Sequence, residues 1–305
     1  MYRSWSMPSK ADTAPADFRG GMIRAVVALV VAVALCAAFV FFGPGLAERL
    51  VPLLPASQAE NYALIETLFV AVIFGAMIVA ALVAGRLMGV NPLRMGARPL
   101  PSFGLGVAIG AGGLLVAAGY AALSGAAVAG EGGGAGAAMI LWGVAAIAVQ
   151  AGAEEIYFRG WLQPVLQQAW GGAAAVLLTA VAFSGLHIMG GARAPVSLLN
   201  LFLGGVMFGL LALKGQGIAA ALGAHIAWNA TEQLGVGLDP NPGTGSFGAA
   251  IDYDLAGRVL WGGSEEGLNA SIAMTFALLA IVVPLLMLAR RPKAEAKLAT
   301  SAATG

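Results

Sequence analysis

Residues 137–160 read AAMILWGVAAIAVQAGAEEIYFRG, and this stretch decides the fold. From Ala137 to Ala153 the only polar side chain is Gln150, and the run then ends in Glu154, Glu155 and Arg159. A helix of about 20 such residues crosses the roughly 30 Å hydrocarbon core of a bilayer. Ionisable groups at that depth are costly and usually mark function. Apolar runs of the same kind recur along the chain, at 25–43, 63–85, 103–128, 137–158, 173–190, 196–213, 217–234 and 270–289. They predict an all-α polytopic membrane protein with about eight transmembrane helices. Hydrophobic residues make up 59% of the 305-residue chain and charged residues only 10%, a balance that excludes a soluble domain. The abundance of Gly and Ala suits closely packed membrane helices.

The net charge of +1 suggests no nucleic-acid partner. With the N-terminus in the cytoplasm, 13 of the 16 lysines and arginines fall on inside segments, and only Arg49, Arg193 and Arg258 fall outside. This bias predicts that both termini are cytoplasmic, as in a bacterial inner membrane. The first run follows a basic leader but is longer than a signal-peptide core and lacks a clear small-x-small cleavage site, so it reads as a retained span. The single cysteine, Cys36, lies within it and reads as a buried free thiol. Pro284 is expected to kink the last span. The expected organisation is a cytoplasmic tail at 1–24, three helices in 25–136 and a catalytic core at 137–234. An external loop at 235–269 and a last helix with a basic tail at 270–305 follow. The ends, 1–20 and 292–305, have the composition of disordered segments. The loop carries Phe247, Tyr253 and Trp261, which suit a membrane interface, with a functional lid as the alternative.

Three apolar runs carry polar groups at helical spacing. Glu155 and Arg159 are four apart and can pair on one face. Glu154, rotated by about 100°, is left to face something else. Phe183 and His187, and likewise His225 and Asn229, are four apart and present on one face each. Gly171-Gly172 is the natural turn between the fourth and fifth spans, with Glu154 17 residues before Gly171 and His187 16 after it. An antiparallel hairpin about this turn brings both side chains to the same height, about 24 Å from it at 1.5 Å per residue. The turn at Lys214–Gly217 returns the seventh helix, with His225 about 12–15 Å along it. These heights match if Trp161–Trp170, with Gln163, Gln167 and Gln168, projects into the cytoplasm, and the site then opens toward the inner leaflet.

The residue types suit hydrolysis by an activated water. A carboxylate in a poorly solvated cavity is a good base toward water, an imidazole can hold that water, and a His and an Asn amide can donate to an oxyanion. No nucleophile offers itself, since Cys36 is remote and Ser184 has no other sign of activation. The alternative is that these groups glue helices together by buried hydrogen bonds. Elsewhere that structural reading is preferred. Glu66 stands alone, and Glu232 is expected to approach the outer interface. Asn200 and Gln150 are expected at helix–helix contacts, with a place on the cavity wall as the other option. Gly205-x-x-x-Gly209 reads as close packing.

The series Glu154-Glu155-x-x-x-Arg159-Gly160-Trp161-Leu162, Phe183-x-x-x-His187, Phe202-Leu203-Gly204-Gly205-x-x-x-Gly209 and His225-x-x-x-Asn229 resembles the CPBP family. This family comprises the type II CAAX prenyl proteases and the abortive-infection or bacteriocin-processing intramembrane proteases. The resemblance covers roughly 137–234. It implies an eight-helix α-fold and peptide-bond hydrolysis at the membrane, on a membrane-associated peptide or protein substrate. It also implies Glu154 and His187 as the water-activating pair, and His225 and Asn229 as oxyanion donors. Glu155 and Arg159 complete the expected catalytic set. The family is customarily classed as metalloproteases, which would make Glu154, His187 and His225 ligands of a divalent metal such as zinc. Two imidazoles and no HExxH leave such a site short of nitrogen ligands. A metal-free route through the same residues, needing no cofactor, is preferred. The alternatives are a non-catalytic, immunity-type protein that binds a peptide or lipid in the same cavity, and then a transporter, whose inverted repeats are not visible.

Overall fold

The computed structural model of the chain describes residues 15–58, 60–241 and 245–290. It is an all-α bundle: α1 Pro15–Leu50, α2 Tyr62–Leu87, α3 Pro99–Leu123, α4 Ala137–Glu154, α5 Gln163–Met189, α6 Pro195–Gly215, α7 Ala219–Ala230 and α8 Ile272–Arg290. Five described helical stretches are long and apolar enough to cross a membrane: Arg19–Leu53, Tyr62–Leu87, Pro99–Leu123, Ala137–Met189 and Pro195–Gly215. Ile272–Leu288 is a shorter apolar helix. The chain is a polytopic membrane protein.

Several expected boundaries shift. The third helix ends at Leu123, because Gly125 takes a left-handed φ of 75°, and not at 128. Helix α7 has only 12 residues and widens into a π-helical turn at Thr231–Val236. Helix α8 continues through Pro284. Helix α1 already begins at Pro15, within the segment expected to be disordered, and the rest of 1–20 and all of 292–305 lie outside the described residues.

Helix α4 does not stop at 158. It runs through a π-helical segment, Glu155–Leu162, into the first turns of α5, and the chain breaks only at Gly171 (φ 82°, ψ 168°). That combination is open essentially to glycine alone. The chain then returns antiparallel: Phe158 meets Phe183 with ring centroids 5.6 Å apart, and Thr179 Oγ lies 3.4 Å from Gln163 Oε1. Both pairs are symmetric about the break. The segment before it does not project from the bundle as expected, for Trp161, Leu162, Gln163, Val165 and Leu166 are buried. Gln163 is held there by donating to the Gly209 carbonyl at 3.0 Å.

Small residues set the closest approach. A Cβ at Gly110 of α3 would collide with the Ala224 carbonyl of α7, so these two helices pack backbone against backbone. The α2–α3 and α6–α7 connections meet at one end, where Ile218 N donates to Arg94 O at 2.9 Å. At the other end, Ala127–Ala129 (β1), Leu238–Asp239 (β2) and Tyr253–Leu255 (β3) form a small sheet in the order β1-β3-β2. The antiparallel β1–β3 pair ties the α3–α4 connection to the long loop before α8. Glu66, expected to stand alone, accepts from Ser246 N at 3.0 Å and pins the same loop to α2. Glu266 pins it to the α5–α6 turn by accepting from Arg193 N at 2.9 Å and Ala194 N at 2.7 Å. Burial pushes the Glu266 carboxyl up, but the Ala194 and Arg193 N–H groups outweigh it and hold the group below the usual carboxylate value.

Candidate active site

A cavity of about 530 Å³ lies within the bundle, and Glu154, His187, His225 and Asn229 all line it. It also takes in Gln150 and Asn200, so both uncertain amides sit on its wall. Asn200 is fixed there by donating to Asn269 O and Ser271 O at 2.8 and 2.9 Å.

The two adjacent glutamates divide as their helical phase requires. Glu155 is fully buried and tied down: its Oε1 accepts from Arg159 Nη1 at 3.0 Å and from His225 Nδ1 at 2.8 Å. Arg159 Nη2 donates to the Gly205 carbonyl of α6 at 3.1 Å. A Cβ at Gly205 would press on Ala180 of α5. The guanidinium is also caged by three rings, Phe183, Phe208 and Phe158, at 4.7, 5.3 and 5.6 Å from their centroids. Glu154 instead turns to the cavity. Only 4% of it is exposed, and its Oε2 accepts no hydrogen bond among the described residues.

The two imidazoles differ in their wiring. His187 Nδ1 lies 2.9 Å from the Phe183 carbonyl, which can only accept, so the proton sits on Nδ1. In the neutral ring Nε2 then keeps its lone pair. His225 gives its Nδ1 proton to Glu155 and carries Nε2 3.9 Å from Glu154 Oε2. It donates from both nitrogens only when doubly protonated. Phe208 stacks on the His225 ring at 4.5 Å and 17°, fixing its plane. Ser184 spends its hydroxyl on Leu198 O at 3.2 Å, a structural bond. Among the described residues no three His, Cys, Asp or Glu side chains are grouped to hold a metal ion.

Residues 136–231 match the family of type II CAAX prenyl endopeptidases, Rce1-like. The match covers less than half of the chain and leaves α1, α2, α3 and α8 outside it. The family so matched is one of endopeptidases. No curated protein and no solved structure matches the chain.

Two residues of the cavity escaped the sequence reading. Phe208 joins Arg159 to His225, and nothing in its spacing announces this, because it falls between motif glycines on α6. Glu232 was expected at the outer interface, yet it is 5% exposed and lines the cavity. Its signal was present: Glu232 lies four and seven residues along from Trp228 and His225, on the face that presents the imidazole. Helix α5 ends two residues past His187, and the wall continues through Gly190–Ala192, Asn241, Glu265, Glu266 and Asn269. The mouth therefore lies at the sheet-bearing end, opposite the Gly171 break.

Proposed function

We propose that the chain hydrolyses peptide bonds of membrane-associated peptides or proteins, using a water activated by Glu154 and His187. The observation that carries this reading is the division of the acidic pair. Glu155 is consumed by Arg159 and His225, while Glu154 lines a cavity shared with His187 and Asn229, and its buried Oε2 accepts no hydrogen bond among the described residues. Glu154 takes a proton from water as the oxygen attacks the scissile carbonyl carbon, and the lone pair on His187 Nε2 orients that water. The developing oxyanion accepts from the Asn229 amide and from doubly protonated His225. As the tetrahedral intermediate collapses, the C–N bond breaks and Glu154 returns the proton to the leaving nitrogen, giving a carboxylic acid and an amine. Glu155 and Arg159 hold His225 in place and do not touch substrate. No metal is needed for these steps. Stoichiometric metal that leaves together with activity in His187→Ala would overturn that part.

The test compares membrane peptides from cells making the unaltered chain with those from cells making Glu154→Gln. Peptides that disappear only with the unaltered chain, while Glu154→Gln is made and folded to the same level, are the expected result. Identical peptide profiles would leave the cavity a binding site without hydrolysis.

A further inference from the structure

The cavity is acidic beyond what hydrolysis needs. Glu154, Glu232, Glu265 and Glu266 all line it, and among the described residues no lysine or arginine does. Glu266 is occupied by the Arg193 and Ala194 amides, and the Arg193 guanidinium is turned to the Ile188 and Ala192 carbonyls. Glu265 is exposed at the mouth. Glu232 is different. It is 5% exposed, lines the cavity, and makes no side-chain hydrogen bond or ion pair among the described residues.

Burying a carboxylate without a partner is costly, and such groups are normally paired. Here the open side of the group is the cavity itself. We infer that Glu232 is a subsite for a positively charged group, an ammonium or guanidinium, on the peptide that enters the cavity. The inference rests on the reading of this cavity as a substrate cleft. Position gives it a register. Glu232 follows His225 by seven residues along α7 and its π-helical end, a rise of about 10 Å at 1.5 Å per residue. An extended peptide covers that distance in about three residues at 3.3 Å each. A cationic residue placed about three positions from the scissile bond, on the side toward the mouth, therefore meets Glu232 when its carbonyl faces His225. A chain terminus bearing a free carboxylate on that side would be repelled by the same group.

The probes are synthetic dodecapeptides of Leu and Ala in which a single Lys, Arg or Gln is moved through the positions. Each is made with a free and with an acetylated amino terminus. Retention by the detergent-solubilised full chain and cleavage are measured separately on the same peptides. The unaltered chain should retain the Lys and Arg peptides at least about tenfold better than the Gln peptides, since a desolvated charge pair is at stake. The preference should peak at one distance from the cleaved bond. Glu232→Gln should level it, and Glu232→Asp should keep part of it. A preference confined to free amino termini would make the peptide's own terminus the cation. Equal retention of Lys and Gln peptides by the unaltered chain overturns the inference, as does a preference that survives in Glu232→Gln. If the preference holds but no peptide is cleaved, the hydrolytic reading falls and the cation subsite stands. If cleavage depends on Glu154 without any charge preference, the hydrolytic reading stands and the subsite falls.

Discussion

Glu155 Oε1 receives both Arg159 and His225, so its loss leaves two buried groups unpaired at once. Glu155→Gln should therefore lower the yield and thermal stability of the folded protein, by about 3–5 kcal/mol where the pair is fully desolvated. The check is a melting curve of the purified variant beside that of Glu154→Gln, which should melt close to the unaltered chain. A Glu155→Gln protein of normal stability that lacks only activity would move Glu155 into the chemistry. Asn229 tests the other half of the site. As an oxyanion donor its replacement by Ala should reduce kcat by about 10²–10³ with little change in KM. A rise in KM with kcat preserved would make it a substrate-holding residue instead.

The hairpin of α4 and α5 sets the heights of Glu154 and His187, and Gly171 sets the hairpin. A Cβ there would meet no atom within 4 Å, so Gly171→Ala reports backbone strain and nothing else. The expected loss is about 1–3 kcal/mol, read as a lowered Tm, with Gly172→Ala as a contrast because its Cβ would press on Leu213 instead. The long loop has its own fastening in Glu266. A carboxyl held below its unfolded value, ordinarily about 4.3, adds stability above that pH and loses it as pH falls through the folded value. Acidification below the ordinary carboxylate range should therefore release the loop from the α5–α6 turn. Faster hydrogen exchange at the Arg193 and Ala194 amides would show it, and Glu266→Gln should exchange fast at every pH. At this scale the sequence was legible where a single local rule governs. The glycine pair predicted the turn, and helical phase separated Glu154 from Glu155. It was not legible where a contact joins distant helices. Gln163 looked solvent-facing because its partner is a carbonyl of α6, and His225 showed no sign that its first partner is a carboxylate 70 residues away.

In the whole molecule the connections fall into two groups, and the cavity opens at the end that carries the sheet and the 235–269 loop. Charge patterning predicts that this end is outside, since Arg94, Arg98 and Lys214 gather at the opposite end. The expected opening toward the inner leaflet supposed that 161–170 stands clear of the bundle, and its buried side chains draw it in instead; the leaflet that the mouth faces follows from the orientation tested below. The motifs could give the height of the site but not which side of it is left uncovered. That depends on α5 stopping just past His187. The combination makes a sharp prediction about where substrate is met. In intact cells Glu265→Cys, at the mouth, should react with a membrane-impermeant maleimide, and native Cys36, being buried, should contribute no background. Lys214→Cys should react only after the membrane is permeabilised. Reporter fusions should agree, being active after Lys297 only when they need the cytoplasm and behaving as external within 240–260. The reversed pattern would overturn the charge-based orientation and place the mouth, with Glu232 behind it, on the cytoplasmic side. Mismatched results at the two ends would mean an odd number of crossings, most simply because the 12-residue α7 does not traverse the bilayer.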